Sequence, residues 1–449
     1  MKISRILHAG YVFECGDTRI AFDPIFENPF SVNCQAYPNV RFNRDEIKSL
    51  KFDAVFISHY HDDHCSMESL NLLERETPIY MFCVFEEMFE LIRALGFQKV
   101  FSLTLDVPVR IGSLTVIPRK ALDADVDSLF QIQGAGLNVL NVVDSWIDYE
   151  TLDLLKRQGP WDLVMWPFQT MREIDVLSPH RAAVASLEVP PEWIEQIQDL
   201  NPRYIVPSSC QFIHETWSWF RSFYFPISYQ RFANQVRQVL PRSEVIRMNP
   251  STSWNLTKEE LKRAAPLSWV HPIGSQDVDY EFNPSVQIPS TAEIAKHFPA
   301  LTSEQAQDVL KYCQVDLLSR YRTLDFSEGS YFEKPRNWKL ILYDHTGVAK
   351  EFKYQVQSSH IECVEDFQGP VSWLSEISMT KMYAALTEGE SMSSMYIRIN
   401  DMEFDPRVEE EIKRADVLED PLIHCLFDGY FASYQKAQLR RLNADRTNS

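Results

Sequence analysis

No window of this 449-residue chain is apolar enough over a long enough stretch to span a membrane, which excludes an integral helical membrane protein. No run of lysine or arginine interrupts a formal charge of -19, so a large phosphate-binding footprint is excluded and a small-molecule substrate is expected instead of nucleic acid. No Cys-x-x-Cys pair occurs among the eight scattered cysteines, which suits reduced thiols better than a disulfide framework. The opening Met1-Lys2-Ile3-Ser4-Arg5 runs straight into a strand pattern instead of a secretion signal, so a cytoplasmic protein is expected. With 45% hydrophobic residues, the chain has ample material for two cores.

Short apolar runs alternate with helical spacings through the first half. Ile3 to Leu7, Tyr11 to Cys15, Arg19 to Phe22, Phe52 to Ile57 and Ile79 to Phe82 read as strands, as do Val100 to Leu103, Leu114 to Ile117, Leu129 to Gln133, Leu137 to Val143, Leu163 to Trp166 and Tyr204 to Val206. Glu86 to Leu95, Thr151 to Arg157 and Glu192 to Asp199 carry helical spacing. The texture then changes: Pro250, Pro266, Pro272, Pro284 and Pro289 among polar residues read as a poorly regular connector. Beyond it, Leu301 to Tyr321 is helix-like, and Trp338 to Tyr343 with Glu351 to Val356 alternates like a hairpin around Thr346-Gly347. Residues 1–255 are thus expected as one domain, 256–299 as connector and 300–449 as a smaller C-terminal α+β domain, faintly similar to sterol-carrier-type domains.

The chemistry concentrates in His59-Tyr60-His61-Asp62-Asp63-His64, directly after an apolar run. Imidazole nitrogens and carboxylate oxygens are ordinary ligands for zinc and for non-haem iron, and a loop leaving a buried strand turns several of them toward one point. Ser66 is placed to cap the helix that follows. A second carboxylate, Asp144, ends the buried run Leu137 to Val143.

The spacing His-x-His-x-Asp-His resembles the signature loop of the metallo-β-lactamase superfamily, which implies an αββα sandwich with metal at one sheet edge. The resemblance implies that His59 and His61 hold one metal, that Asp63 and His64 hold a second, and that Asp144 bridges them. It places Asp23 of Asp23-Pro24 behind the loop, orienting a ligand. His8, in His8-Ala9-Gly10, resembles a His-Ala pair found near the site in several branches, although a lone histidine beside a glycine turn is expected to be structural. Two family histidines are missing. Where the first belongs the chain reads Asp123-Ala124-Asp125-Val126-Asp127, with Asp123 the aligned metal ligand, Asp125 the near alternative and Asp127 at the strand entry. Where the second belongs stand Ser208 and Ser209, with His214 a few residues late and His180 in a separate loop. A more oxygen-rich set favours iron or manganese relative to zinc. Weaker likenesses, from Val126 to Asp144, Leu200 to Phe212 and Thr380 to Arg398, are to the corresponding part of CMP-N-acetylneuraminate hydroxylases, but the paired cysteines and histidines of a Rieske centre are absent.

These readings imply one or two divalent ions, zinc or iron/manganese, and a metal-dependent hydrolase acting on an ester, amide or phosphodiester, with His59, His61 and Asp63 catalytic and Asp63 doubling as base. A dinuclear iron oxygenase with a separate electron donor is the alternative, and a non-catalytic binding scaffold the third. Aromatics from Trp217 to Tyr229 are placed to wall a pocket for an apolar substrate, and Arg172 is an anion contact by position. Homo-oligomerisation stays open.

Overall fold

Ala54-Val55-Phe56-Ile57 is buried on both faces, as a strand central to a parallel array must be. Side chains alternate across a strand, so Ala54 and Phe56 point one way and Val55 and Ile57 the other. The computed structural model, which describes residues 1–123, 125–325 and 329–448, shows what lies on each side. On one, Phe56 joins a core enclosed between two sheets, where Phe22 stacks on it at 5.3 Å and meets Phe130 of the opposite sheet at 5.0 Å. On the other, Val55 and Ile57 pack with Met88, Phe89 and Ile92 of helix Glu86–Ala94, whose buried positions recur at helical spacing. Each such fully buried side chain contributes roughly 1.5–3 kcal/mol.

The first sheet runs in the order Leu261–Ala264, Ser253–Leu256, Lys2–Arg5, Tyr11–Cys15, Thr18–Phe22, Ala54–Ile57, Ile79–Met81, Val100–Ser102. The second runs Glu244–Val245, Tyr204–Ser208, Leu163–Pro167, Leu137–Asn141, Ser128–Gly134, Leu114–Lys120, Val109–Ile111. Helices Tyr149–Gln158, Pro191–Leu200 and Tyr229–Val239 bury Leu152, Leu155, Ile197, Phe232 and Val236 with Leu140, Val164 and Ile205 of the second sheet. The architecture is an αββα sandwich. In both sheets the central strands are parallel, so their carboxyl ends, at Ile57, Asn141 and Ser208, open onto one edge.

The stretch expected as an irregular connector is more ordered than its prolines suggest. Leu261–Ala264 completes the first sheet by pairing with Ser253–Leu256, Val270–Pro272 pairs with Val40–Phe42, and Ser290 opens helix Thr291–Ala295 through a reciprocal capping box with Glu293. The prolines cut this segment into short pieces, and each piece docks on an element distant in sequence, which no local pattern reveals.

A C-terminal α+β part has its own core and a five-stranded sheet ordered His360–Cys363, Ala349–Gln357, Arg336–Tyr343, Trp373–Ser378, Arg398–Ile399. Its central hairpin turns at Asp344 to Val348, as the Thr346-Gly347 signal predicts. Helix Ser433–Asn448 then returns to the N-terminal sandwich and packs on Met67–Leu70 and Glu86–Ala94. Among the described residues no helix is long and apolar enough to cross a membrane.

Candidate metal centre

The metal loop is fixed at both ends before any ion is considered. Asp23, fully buried, accepts the Ser58 backbone N–H and the Ser58 hydroxyl at 2.7 Å each, and takes the Nδ1–H of His64 at 3.0 Å. The backbone N–H groups of His64 and Cys65 both donate to the His61 carbonyl, closing a tight turn. Ser66 then caps helix Met67–Leu70, accepting from the Ser69 N–H while donating to Glu27. The orienting role expected of Asp23 follows from this geometry: committing Nδ1 of His64 to the carboxylate leaves Nε2 to face inward.

What Nε2 faces is the centre itself. One donor atom from each of His8, Asp63, His64 and Asp144 lies within 4.8 Å of the others. His64 Nε2 is 3.1 Å from Asp144 Oδ2 and 3.2 Å from His8 Nε2, and His8 Nε2 is 3.1 Å from Asp63 Oδ2. Two imidazole nitrogens and two carboxylate oxygens directed at one point make a donor set suited to a divalent cation. Asp144 faces two ways, since its Oδ1 is directed at His59 Nε2, 3.8 Å away, and has no hydrogen-bond partner among the described residues. The Ser58 hydroxyl, 2.9 Å from His59 Nδ1, turns that Nε2 inward. His61 stands edge-on to His59 at 4.5 Å and faces the same cavity.

His8, expected to be structural beside a glycine turn, is placed by the structure within this cluster. It sits on the turn between the first two strands, with a left-handed φ of 48°, at the same sheet edge as the loop. Non-glycine residues in this conformation recur around the centre at Asp23, Val143, Ser209 and Cys210, strain of the kind that gathers at functional sites. The available signal was the missing last histidine, which leaves room for a ligand from elsewhere.

The aspartate run also resolves. Asp123 lines the cavity, but it is exposed and its carboxylate accepts the Asp125 N–H at 3.3 Å. The Asp125 side chain is exposed as well. Asp127 is the buried member; the residue lines the cavity, and its buried Oδ1 has no hydrogen-bond partner among the described residues. An orphaned buried carboxylate oxygen is costly unless a cation or proton meets it.

Electrostatics divide the histidines. Burial, with His64 and His61 adding to it, holds His59 well below its ordinary pKa, leaving a neutral imidazole with a lone pair to offer. Burial opposes charge on His64, yet Asp144 and Asp63 outweigh it and raise its pKa. The same pairing, working against burial, depresses Asp63 and Asp144. Burial pushes Asp127 up to about 7, only partly offset by His61.

The centre opens into a cavity of about 520 Å³. Beyond the acidic residues its walls include Met171, Val176, Phe212, Phe220 and Tyr224, and Ser391 to Ser393 of the C-terminal part close one side. Of the aromatic stretch expected as a pocket wall, Phe220 and Tyr224 serve, whereas Trp219, Phe223, Phe225 and Tyr229 are buried in packing and Trp217 stacks on His297 at 4.4 Å. Arg172 is not an anion contact: it is buried, bound to Asp175 at 2.7 Å and stacked over Phe223. His180 is turned outward, bound to Asp401 at 2.8 Å. Ser208 bonds Tyr11, Ser209 bonds the Val143 carbonyl, and Cys65 is a buried thiol beside the loop.

His214 does reach the cavity, and its environment yields a testable pH dependence. Burial without a hydrogen bond to either ring nitrogen holds its pKa down to about 3. Below an ordinary pKa of about 6.5 the unfolded chain takes up a proton that the folded chain refuses, so stability present at neutral pH is lost as pH falls toward 3. From pH 7 to pH 5 this group alone is expected to cost about 2 kcal/mol. Urea midpoints of wild type and His214→Phe at the two pH values check it: the substitution is expected to flatten the decline.

A family model described as a beta-lactamase superfamily domain matches residues 2–209. Among solved structures, the chain is similar to Igni18, a metallo hydrolase from Ignicoccus hospitalis (17% identity, covering 57% of this chain and 99% of that one, TM-score 0.40). It is similar to an isothiocyanate hydrolase from Delia radicum gut bacteria (16% identity, 57% and 99% covered, TM-score 0.40). It is also similar to CmlA, a diiron beta-hydroxylase from Streptomyces venezuelae (15% identity, 59% and 54% covered, TM-score 0.40). Likenesses at this level carry no argument about the reaction. No curated protein matches the chain.

Proposed function

We propose that this protein, whose residues 2–209 form a metallo-β-lactamase superfamily domain, is a metal-dependent hydrolase of ester, amide or phosphodiester bonds. The observation that carries the reading is the convergence of His8, Asp63, His64 and Asp144 on one point, with His59, His61 and Asp127 facing the same cavity. Asp144 directs one oxygen at His59 and the other at His64, so divalent ions would be held there by Asp144 together with His59, His61 and Asp127 and with Asp63, His64 and His8. Divalent ions bound there would supply Lewis acidity and a water of lowered pKa.

The chain's own residues do the rest. Asp23 and Ser58 hold His64 and His59 in the orientation and tautomer that leave Nε2 free to ligate. Asp63 is partly exposed to the cavity, so a proton it accepts has a path to solvent. Met171, Val176 and Phe220 give the cavity an apolar wall against which the non-reacting part of a substrate would pack. Protein loaded with zinc, manganese or ferrous iron and screened on nitrophenyl esters, anilides and phosphodiesters is expected to turn over at least one class, with loss on chelation and recovery on adding metal back.

One feature favours a second reading, a dinuclear iron oxygenase. Asp127 in place of a histidine makes the site richer in oxygen donors, which suits iron. A separate electron donor is then required. No hydrolysis of any class by fully loaded protein, together with reductant-dependent uptake of dioxygen, would move this reading to first place.

A further inference from the structure

A second hollow of about 460 Å³ adjoins the metal loop, within the size range of small-molecule sites. Tyr60, His61 and Asp62 of the loop bound it on one side, and the C-terminal part bounds it on the other. His61, Asp62, Ser391 and Met392 line both this hollow and the cavity over the metal centre. His8, Asp63, His64 and Asp144, which converge on the metal point, line only the latter or neither, so the hollow is a separate space.

Its walls ask for an uncharged occupant. Met392, Leu418 and Phe427 are half-buried, each packed on the C-terminal core and also lining the hollow. Ile423 and Phe427, one turn apart on helix Pro421–Phe427, share a face, and Tyr430, 52% exposed, lines the same space. Apolar side chains gathered in a concave surface mark a place for an apolar partner. No lysine or arginine is among the lining residues, so an anion finds no counter-charge there. The carboxylates that do line it are already met: Asp428 pairs with His424 at 2.6 Å, Glu390 with Lys381 at 2.7 Å, and Asp62 accepts the Ser391 hydroxyl at 3.1 Å.

We propose that this hollow binds an uncharged, chiefly apolar small molecule, and that its occupancy is coupled to metal binding through the loop that forms its wall. Gln435, which lines the hollow, donates to the Tyr60 carbonyl at 2.6 Å and the Cys65 carbonyl at 3.0 Å, and so holds both ends of the loop. Ser391 holds its middle through Asp62. A ligand packed against Tyr60, Ser391 and Gln435 favours the loop arrangement that turns Asp63 and His64 toward the metal point. Linkage is reciprocal, so metal at the loop tightens the ligand by the same factor. The coupling rests on metal binding at the loop, as the hydrolase reading does; the apolar site does not.

The test is fluorescence titration with N-phenyl-1-naphthylamine, a neutral probe that brightens in apolar surroundings, on the full chain first stripped by chelator and then loaded with zinc. One saturable site per chain is expected, at least about fivefold tighter in the zinc-loaded protein. Leu418→Lys sets an ammonium group in the apolar wall and is expected to weaken the probe at least about tenfold. Tyr430→Ser changes a side chain already half exposed, so the fold is kept, and is expected to weaken the probe about threefold. Both variants are expected to hold as much zinc as wild type. No saturable binding, or binding unchanged in both variants, would overturn the site. Equal probe affinity in stripped protein and in protein shown to hold zinc would overturn the coupling. Zinc content is measured on the same samples, so wild type that binds the probe but retains no zinc marks a failure of the hydrolase reading and upholds the apolar site.

Discussion

Replacing His8 with asparagine is expected to halve the bound metal and to lower turnover by at least about 100-fold. Removing a residue that merely supports a metal ligand typically costs 10–100-fold, and a residue that supplies a ligand atom should cost no less than the upper end. His8 belongs in the second class because its Nε2 lies 3.2 Å from that of His64 and 3.1 Å from Asp63 Oδ2. Asparagine is the chosen replacement because it tolerates the left-handed backbone at this turn. The Arg5 guanidinium, which bonds the His8 carbonyl, keeps its partner in the variant. Metal content by elemental analysis and hydrolysis rate are the two readouts. Full metal content with unaltered turnover would return His8 to a structural role.

Substituting Gln435 is expected to weaken metal binding about 10- to 100-fold from outside the cavity. This glutamine, 2% exposed on the last helix, donates through Nε2 to the Tyr60 carbonyl at 2.6 Å and the Cys65 carbonyl at 3.0 Å, clasping both ends of the metal loop. One turn on, Gln438 accepts the Met67 N–H at 2.7 Å. Gln435→Glu has nearly the same shape but, ionised, no donor, so it leaves buried carbonyls unmet at a cost of about 1–3 kcal/mol and loosens the loop. The C-terminal part then acts as a brace for the centre, an effect reinforced where the Ser391 hydroxyl donates to Asp62 at 3.1 Å. Metal titration against a chelator separates this from simple destabilisation: a lower melting temperature with unchanged metal affinity would make Gln435 a staple of the fold and nothing more.

The chain shows its sandwich plainly because buried strands leave local marks. Tyr11 to Cys15 is a strand with the same bounds in sequence and structure, and the run ending at Ile57 is apolar throughout because both its faces are covered. The metal loop is legible for the same reason, since its residues are contiguous and follow a strand end. Residues that meet the centre from afar are not. His8 approaches His64 across 56 positions and Gln435 reaches Tyr60 across 375, and neither partner changes the local pattern around the other. Asp123, Asp125 and Asp127 alternate along one short stretch, so which carboxylate is buried depends on how the chain enters the strand Ser128–Gly134. His214 looked out of place because spacing alone does not show the turn at Ser209 and Cys210, both with left-handed φ, that brings the chain back toward the cavity. Arg172 misled in the opposite sense: position suggested an anion contact, whereas a carboxylate three residues away captures it.

The measurement that tests the central claim most directly is elemental analysis of the full chain, reconstituted with zinc, manganese or ferrous iron under low oxygen and freed of loose ions, beside His59→Ala/His61→Ala. The account predicts about two divalent ions per wild-type chain and a clear loss in the variant. Wild-type protein that retains no metal under any of these conditions would contradict it.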